Sequence, residues 1–161
     1  MSITLYKWIK IFFKLSCISK IVLYLRIKKI NFFNMEKEFQ NMEHSEIFDK
    51  IYLDKIWGEC SEGSANSGAG SHLPYIIEPY IRVVKLFLSE VKPSVVVDLG
   101  CGDFNVGRNF TTYTKKYLAC DVSSVIIDNN KSKYENFNNV EFQYIDICKD
   151  KLPEGEIAFV R

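Results

Sequence analysis

The chain has 161 residues, of which 47% are hydrophobic and 25% are charged. That length suits a single domain with a buried core, and that composition excludes an intrinsically disordered chain. The formal net charge of +1 gives the chain no overall electrostatic attraction to nucleic acid.

The cysteines are odd in number, widely spaced and form no Cys-x-x-Cys pair. They are Cys17, Cys60, Cys101, Cys120 and Cys148. This pattern argues against a disulfide framework and against a zinc site. We therefore expect reduced cysteines, no bound metal and a cytoplasmic protein.

Residues 1–34 form a basic, apolar N-terminal extension. Its first 33 residues contain seven lysines and arginines and no acidic residue. A cation interrupts the apolar residues every few positions, which is typical neither of a membrane span nor of a secretory signal. Three interpretations stay open: a segment outside the working protein, a weak membrane-surface contact through residues 1–33, or a helix that binds a partner.

Residues 35–92 are predicted to be a helical segment that leads into the main domain. The acidic stretch from Met35 to Trp57 predicts a helix. Residues 58–71, rich in Gly and Ser, predict a loop, either a plain linker or a lid whose N–H groups face an anionic ligand. Apolar residues at helical spacing then predict a second helix over about residues 79–91, with Pro79 in its first turn.

From Pro93 onward, short strand-like runs, of which the first is continuously β-branched and the third alternates, are separated by helical or turn segments. The runs SVVVDLG, KYLACD, VEFQYIDI and IAFVR predict four strands, and Ser123 or Ser124 is expected to cap the helix between the second and third. The alternation predicts an α/β fold, a Rossmann-like, doubly wound parallel sheet. The chain ends inside the fourth strand, so we expect residues 93–161 to be a partial domain with an incomplete C-terminal half.

An acidic residue stands at the carboxyl end of each of the first three predicted strands: Asp98, Asp121 and Asp146. Ligands of parallel sheets bind at this edge, and Gly100 and Gly102 allow backbone to approach a ligand closely. Asp121 has the spacing of an acid that accepts hydrogen bonds from ribose hydroxyls. Asp146 could accept one from an exocyclic amine of a base. The alternatives are a helix cap for Asp121 and a turn residue for Asp146.

The loop after the first strand, Gly-Cys-Gly-Asp-Phe-Asn, indicates which nucleoside cofactor would fit. A dinucleotide fingerprint needs a third glycine, which is absent, and Asp103 adds a negative charge where a diphosphate would lie. An acidic loop suits a cofactor with a cationic sulfonium and an ammonium group better. We therefore expect S-adenosyl-L-methionine, with a nucleotide-dependent oxidoreductase as the alternative.

Together, VVVDLGCGD, YLACDVS and VEFQYIDI resemble the class I S-adenosylmethionine-dependent methyltransferases over about residues 94–161. The family motif is acid-x-Gly-x-Gly-x-Gly, and this chain departs from it with Phe104 at the third glycine. A looser similarity to some bacterial methyltransferases extends over the Trp-Gly and Ser-Gly-x-Gly-Ser elements upstream. The resemblance implies a methyltransferase domain that uses S-adenosyl-L-methionine.

The resemblance also implies roles for individual residues. Asp98 and Gly100 would hold the methionine moiety, Asp121 the ribose, and Asp146 with Ile147 the adenine. The complete expected cofactor site is Asp98, Leu99, Gly100, Cys101, Gly102, Asp121, Val122, Asp146 and Ile147, and the expected pocket mouth is Trp57, Ser67, Gly68 and Ser71. His44 and His72 receive no role, because neither has a partner nearby in the sequence.

We predict methyl transfer to a small-molecule or glycan acceptor, since no basic stripe with interleaved aromatics marks a nucleic-acid site in residues 35–161. No catalytic residue is assigned, because in this family acceptor and catalytic residues usually follow the fourth strand. The chain alone is therefore expected to have weak activity or none. The alternative is a catalytically inactive module that binds adenosyl ligands.

Overall fold

The computed structural model describes residues 38–60 and 63–160. The proposals for residues 1–33, including the membrane-surface contact, lie outside the described residues. A turn follows helical residues 38 and 39, and in it the Met42 N–H donates to the Phe39 carbonyl at 3.2 Å. No helix in the described ranges combines the length and the apolarity that crossing a bilayer requires.

Four parallel strands form the sheet of the unit that begins at Glu43. The strands are β1 (Val95–Leu99), β2 (Lys116–Asp121), β3 (Val140–Tyr144) and β4 (Ile157–Val160). Their spatial order is β3-β2-β1-β4. The register is regular, with Val97 opposite both Leu118 of β2 and Ala158 of β4. The predicted parallel α/β sheet is therefore confirmed.

Three α-helices accompany the sheet: α1 (His44–Leu53), α2 (Pro74–Val91) and α3 (Ser124–Lys133). Short 3-10 helices cover Ala69–Ser71, Gly107–Asn109 and Thr111–Tyr113. The last two replace a crossover helix after β1, where the sequence predicted a short helix or turn. The order of strands and the alternation with helices follow the doubly wound pattern.

Two helix predictions differ from the structure. The helix predicted from Met35 to Trp57 is interrupted by a turn at residues 40–43, and α1 covers only His44–Leu53. The helix predicted to begin near Pro79 begins at Pro74, so Pro79 lies inside it. Proline suits the first helical position because the N–H it lacks would have no partner there. The sequence offered two such prolines, and the earlier one is used.

The main core lies on the sheet face that α2 and α3 cover. Val84 and Leu88 of α2 and Ile127 of α3 belong to one buried cluster with Val96 of β1 and Tyr117 of β2. The second helix therefore shares a core with the sheet, although the sequence assigned it to a separate segment ending at residue 92. A smaller cluster, which includes residues 97, 99, 118 and 120, occupies the other face.

Candidate functional site

A cavity of about 470 Å³ opens at the carboxyl ends of the strands. Its volume falls within the range of small-molecule sites, roughly 300–1,000 Å³. Eight of the nine residues predicted for the cofactor site line it: Leu99, Gly100, Cys101, Gly102, Asp121, Val122, Asp146 and Ile147. The structure therefore brings the ends of β1, β2 and β3 to one cavity, and their binding of a cofactor stays a prediction.

The glycine loop, residues 100–104, forms the wall at the end of β1. Gly100 and Gly102 have positive φ angles of 79° and 55°, which glycine adopts without a steric penalty. A Cβ atom at Gly102 would lie 2.2 Å from the Ser67 Oγ and 3.4 Å from the Tyr52 hydroxyl oxygen. Glycine is therefore needed at 102 both for the backbone conformation and for the close approach of a second loop.

Asp121 lies at the end of β2, beside the glycine loop. Its Oδ2 accepts a hydrogen bond from the Gly102 N–H at 2.9 Å, and its Oδ1 accepts one from the Ser123 N–H at 3.0 Å. Burial raises the pKa of the carboxyl group above 3.8, although these backbone donors oppose the shift. Each carboxylate oxygen has a second lone pair, so Asp121 can still accept hydrogen bonds from a ligand. Ser123 caps α3, as the sequence predicted, because its side chain accepts from the Ile126 N–H.

Asp146 lies just beyond β3, at the other side of the cavity. Its Oδ1 accepts a hydrogen bond from the Cys148 N–H at 2.9 Å, which is the turn role considered from the sequence. Its Oδ2 lies 3.7 Å from the His44 Nδ1 and 4.0 Å from the Lys149 Nζ. Ile147 is half exposed on the cavity wall. The arrangement joins a hydrogen-bond acceptor to an apolar surface.

Asp98 is fully buried and does not line the cavity. Its Oδ2 accepts a hydrogen bond from the Tyr117 hydroxyl at 2.9 Å, and a Cβ atom at Gly107 would lie 2.7 Å from the same oxygen. Successive strand residues face opposite sides, and Asp98 shares its side with Val96 of the main core. The prediction that three carboxylates converge on one cavity is therefore wrong for Asp98, which supports the loop from the core side.

The segment before the sheet contributes the remaining wall. The predicted mouth residues Trp57, Ser67 and Ser71 line the cavity, whereas Gly68 is not among its lining residues. The sequence did not predict the lining residues His44, Phe48, Tyr52, Ile145, Cys148 and Val160. Phe48 and Tyr52 lie one turn apart on α1, so the i, i+4 spacing of aromatics was the signal that could have identified this helix face.

Trp57 joins the two aromatic residues of α1 at the cavity wall. Its ring makes edge contacts with Phe48 and Tyr52 at centroid distances of 5.9 and 5.8 Å. Tyr52 is buried, and burial raises the pKa of its hydroxyl group well above the ordinary value. That hydroxyl therefore stays protonated near neutral pH and is suited to hydrogen bonding rather than to acting as a base.

Within residues 38–60 and 63–160, two groups of His, Cys and Asp side chains have potential ligand atoms within 4.8 Å of one another. They are His44 with Asp146 and Cys148, and Cys60 with His72 and Asp103. The sequence predicted neither, because the histidines lie far along the chain from their carboxylate partners. All four described cysteines are free.

No family model matches the sequence, and no curated protein matches it. Among solved structures, the N-methyltransferase NodS from Bradyrhizobium japonicum WM9, determined with S-adenosyl-L-homocysteine, matches with a TM-score of 0.52 at 15% identity over 68% of this chain and 55% of its own. A dimethyladenosine transferase from Plasmodium falciparum matches with a TM-score of 0.44 at 27% identity, over 52% of this chain and 31% of its own.

A third match is DhpI in a complex with SAM and HEP, with a TM-score of 0.49, 16% identity, and coverage of 74% of this chain and 52% of its own. The chain therefore spans 31% to 55% of the lengths of these three proteins. The likeness to NodS shows the fold. Together with the parallel β3-β2-β1-β4 sheet, it confirms that this chain has the class I methyltransferase fold.

Proposed function

We propose that this protein is an S-adenosyl-L-methionine-dependent methyltransferase. One observation supports the proposal best: Asp121 and Asp146 line the same cavity from the ends of the neighbouring strands β2 and β3. The glycine loop, which follows β1, lines that cavity as well. This arrangement offers hydrogen-bond acceptors for a ribose and an amine, and open backbone for a third group. A single molecule with those three parts is an adenosyl amino acid.

The residues present fit that cofactor. Asp121 would hold the ribose hydroxyls through its remaining lone pairs, and Asp146 with Ile147 would hold the adenine. Gly100 and Gly102 would lie against the methionine part, because both line the cavity at the end of β1. When bound, the cofactor supplies a methyl group on a sulfonium that is already a good leaving group, so the chain's own contribution is alignment and exclusion of water.

The charges around the cavity favour this cofactor over a dinucleotide. Among the described lining residues there are two carboxylates, Asp121 and Asp146, and no lysine or arginine. Lys149 lies 4.0 Å from the Asp146 Oδ2, but it also contacts the carboxylate of Glu43 and does not line the cavity. A diphosphate would therefore be repelled by the lining carboxylates, whereas a cationic sulfonium and ammonium are attracted. The sequence placed the repelling charge at Asp103, but neither Asp103 nor Asp98 lines the cavity, so the argument against an oxidoreductase now depends on Asp121 and Asp146.

Two further features bear on the proposal. NodS, which shares the fold, was determined with S-adenosyl-L-homocysteine, and this supports the same cofactor class here. The cavity wall formed by Phe48, Tyr52 and Trp57 offers aromatic surface next to the glycine loop. Such a surface suits an uncharged organic acceptor, in keeping with a small molecule or glycan.

Calorimetric titration of the full 161-residue chain with S-adenosyl-L-homocysteine tests the proposal. We expect one molecule to bind per chain, and Asp121→Asn to weaken binding roughly 10- to 100-fold, since hydrogen bonds to a charged acceptor are lost. Asp128→Asn is the matched control, because the Asp128 side chain is exposed and is not among the cavity-lining residues. A folded wild-type chain that does not bind the ligand would contradict the proposal.

Transfer of a labelled methyl group then separates an enzyme from an inactive binding module. Incubation with methyl-labelled S-adenosylmethionine and pooled small-molecule and glycan acceptors should label a product if the chain is active. Binding of S-adenosyl-L-homocysteine without any labelled product would favour the binding module.

A further inference from the structure

The carboxylate of Asp103 faces a neighbouring loop and not the cavity. The serine–glycine loop, residues 64–72, lies against the glycine loop, and the Ser67 N–H donates to the Asp103 Oδ2 at 3.1 Å. The Asn105 N–H donates to the Oδ1 at 3.1 Å, and the His72 Nε2 contacts the Oδ2. Asp103 is 8% exposed, so these contacts are made away from bulk water.

The contacts between the two loops are reciprocal. The Asp103 N–H donates to the Ser67 Oγ at 2.8 Å, so Ser67 and Asp103 each bond the other's backbone through a side chain. The Asn105 Nδ2 donates to the Ser71 carbonyl at 2.7 Å, and the Tyr52 hydroxyl lies 3.2 Å from the Ser67 Oγ. The serine–glycine loop therefore contacts residues 102–105, in and next to the glycine loop, at Ser67, Ser71 and His72.

The tied serines are also part of the cavity wall. Ser67 and Ser71 line the cavity opposite Gly102, whose missing Cβ makes room for the Ser67 Oγ. If the serine–glycine loop were a plain linker, the Asp103 carboxylate would be exposed to solvent. If the loop only packed against the sheet, it would make no hydrogen bonds to that carboxylate. The bonds through Asp103 instead fix the distance between two walls of the same cavity.

We propose that Asp103 is a positioning residue, which holds the serine–glycine loop against the glycine loop and so shapes the part of the cavity that receives the amino-acid end of the cofactor. This inference rests on the proposed function. Asp103 acts through Ser67 and does not itself touch the ligand. Asp103 therefore holds the two loops together, and its carboxylate accepts hydrogen bonds from the Ser67 and Asn105 N–H groups and contacts His72.

Asp103→Asn tests the proposal, with Asp128→Asn as a control that removes the same charge from an exposed site. An amide can replace only part of the acceptor capacity of a carboxylate. We expect binding of S-adenosyl-L-homocysteine to weaken about tenfold in Asp103→Asn and by less than twofold in the control, both measured where circular dichroism shows fully folded protein. Ser67→Ala, which removes only the Oγ, should weaken binding in the same direction.

Amide hydrogen exchange distinguishes local loosening of the two loops from a loss of stability of the whole fold. In Asp103→Asn the amides of Ser67 and Asn105 should exchange at least tenfold faster, while the amides of Val97 and Leu118 in the sheet keep their wild-type rates. Combining Asp103→Asn with Ser67→Ala should weaken binding by less than the product of the single effects, because the two residues act through one contact.

Three results would overturn the proposal: unchanged affinity in a folded Asp103→Asn variant, uniformly faster exchange in loop and sheet, or fully additive effects in the double variant. Where Asp103→Asn fails to fold, Ser67→Ala carries both readouts. A wild-type chain that does not bind the ligand would contradict the proposed function, and the exchange rates would then still decide whether Asp103 holds the loop.

Discussion

Phe104 occupies the position of the third glycine and adopts the backbone conformation that a glycine would. Its φ is 61°, in the left-handed region that costs an L-residue about 1–2 kcal/mol. The ring is fully buried and contacts those of Tyr117, Tyr134 and Phe142 at centroid distances of 5.6, 5.3 and 5.0 Å. The packing of this aromatic cluster offsets the backbone strain, which explains how the chain departs from the family motif and keeps the loop.

Because of the backbone strain at Phe104, we expect the glycine variant to be more stable than the alanine variant, the reverse of the usual order. Both substitutions should destabilise the protein by about 3–5 kcal/mol, because a buried ring is lost. Phe104→Gly should nevertheless be more stable than Phe104→Ala by about 0.5–1 kcal/mol, since glycine relieves the strain but adds entropy to the unfolded chain. Denaturant unfolding measures the difference.

Phe110 provides the matched control for that comparison. It is also fully buried, but its φ is −110°, which any residue adopts. At this position alanine should be the more stable of the two by about 0.5–1 kcal/mol. If the alanine variant were more stable than the glycine variant at both positions, the backbone of Phe104 would not be left-handed in solution.

Asp121 should make ligand binding and protein stability respond to pH in opposite directions. Burial raises the pKa of its carboxyl group above 3.8, the ordinary value that the unfolded chain retains. As the pH rises from about 3.8 through the raised pKa, the folded state holds its proton longer than the unfolded state, so this group's contribution to the free energy of unfolding falls. Binding of a ribose needs the ionised acceptor, so affinity should rise over the same interval.

The comparison with Asp121→Asn isolates this effect from other carboxyl groups. Lysine partners lower the pKa of Glu43 and Glu59, which gives the opposite slope of stability in acid, but both residues remain in the variant. The difference in unfolding free energy between wild type and Asp121→Asn should therefore change with pH, as should the ratio of their affinities for S-adenosyl-L-homocysteine. A constant ratio between pH 4 and 7 would exclude a titrating Asp121 from the binding site.

The same residues show what a sequence can and cannot reveal at this scale. The spacing of Asp121 from the glycine loop was enough to predict its position beside Gly102. Strand alternation also indicates that Asp98 shares a face with Val96, which its position at the strand end and in the motif does not reveal. The partner of Asp103 is Ser67, 36 residues away in a loop without periodicity, and no pattern in the sequence encodes that contact.

The carboxylate of Asp49, on α1, caps the N-terminus of α3 and so connects the two helices. Asp49 accepts hydrogen bonds from the Ser123 Oγ at 2.6 Å, the Ser124 Oγ at 2.9 Å and the Val125 N–H at 3.1 Å. The negative charge therefore lies at the N-terminus of α3, where the helix dipole favours it. This contact holds α1, and with it Phe48 and Tyr52, against the sheet domain.

Removal of the cap should destabilise the protein more than removal of an exposed ion pair. We expect Asp49→Ala to lower the free energy of unfolding by about 1.5–3 kcal/mol, because several hydrogen bonds to a charged acceptor are lost. Asp54→Ala removes only an exposed pair with Lys50 and should cost less than about 1 kcal/mol. Equal effects of the two substitutions in thermal unfolding would mean that Asp49 does not cap α3 in solution.

The elements themselves were predicted to different degrees, for physical reasons. All four strands were predicted, but only SVVVDLG is a continuous β-branched run of the kind typical of buried parallel strands, whereas VEFQYIDI was predicted from its alternation. The start of α2 was placed five residues late, since Pro74 and Pro79 both suit a first turn and only packing decides between them. The break before α1 was missed because the acidic sequence around Glu43 has no strong helix-stopping residue.

At the scale of the whole molecule, topology brings together residues that the chain keeps apart. The parallel sheet places Gly102, Asp121 and Asp146 at one edge, and α1 and the serine–glycine loop close the cavity from residues that precede the sheet. The strand order β3-β2-β1-β4 puts the glycine loop near the middle of the sheet, between β2 and β4. Leu99 and Ile145 belong both to a buried cluster and to the cavity lining, so core packing and the cavity share the carboxyl ends of these strands.

Because ligand and fold share these strands, ligand binding should stabilise the whole unit. A ligand that binds only the folded state at 100 times its Kd adds about 2.7 kcal/mol to the free energy of unfolding, which corresponds to several degrees in Tm for a chain of this size. We expect this shift with S-adenosyl-L-homocysteine and none with NADH at equal concentration, since the diphosphate of NADH would face Asp121 and Asp146. Differential scanning fluorimetry measures both, and adenosine separates the nucleoside part from the amino-acid part. A larger shift with NADH would favour the oxidoreductase alternative, because the cavity would then tolerate a diphosphate that its carboxylates should repel.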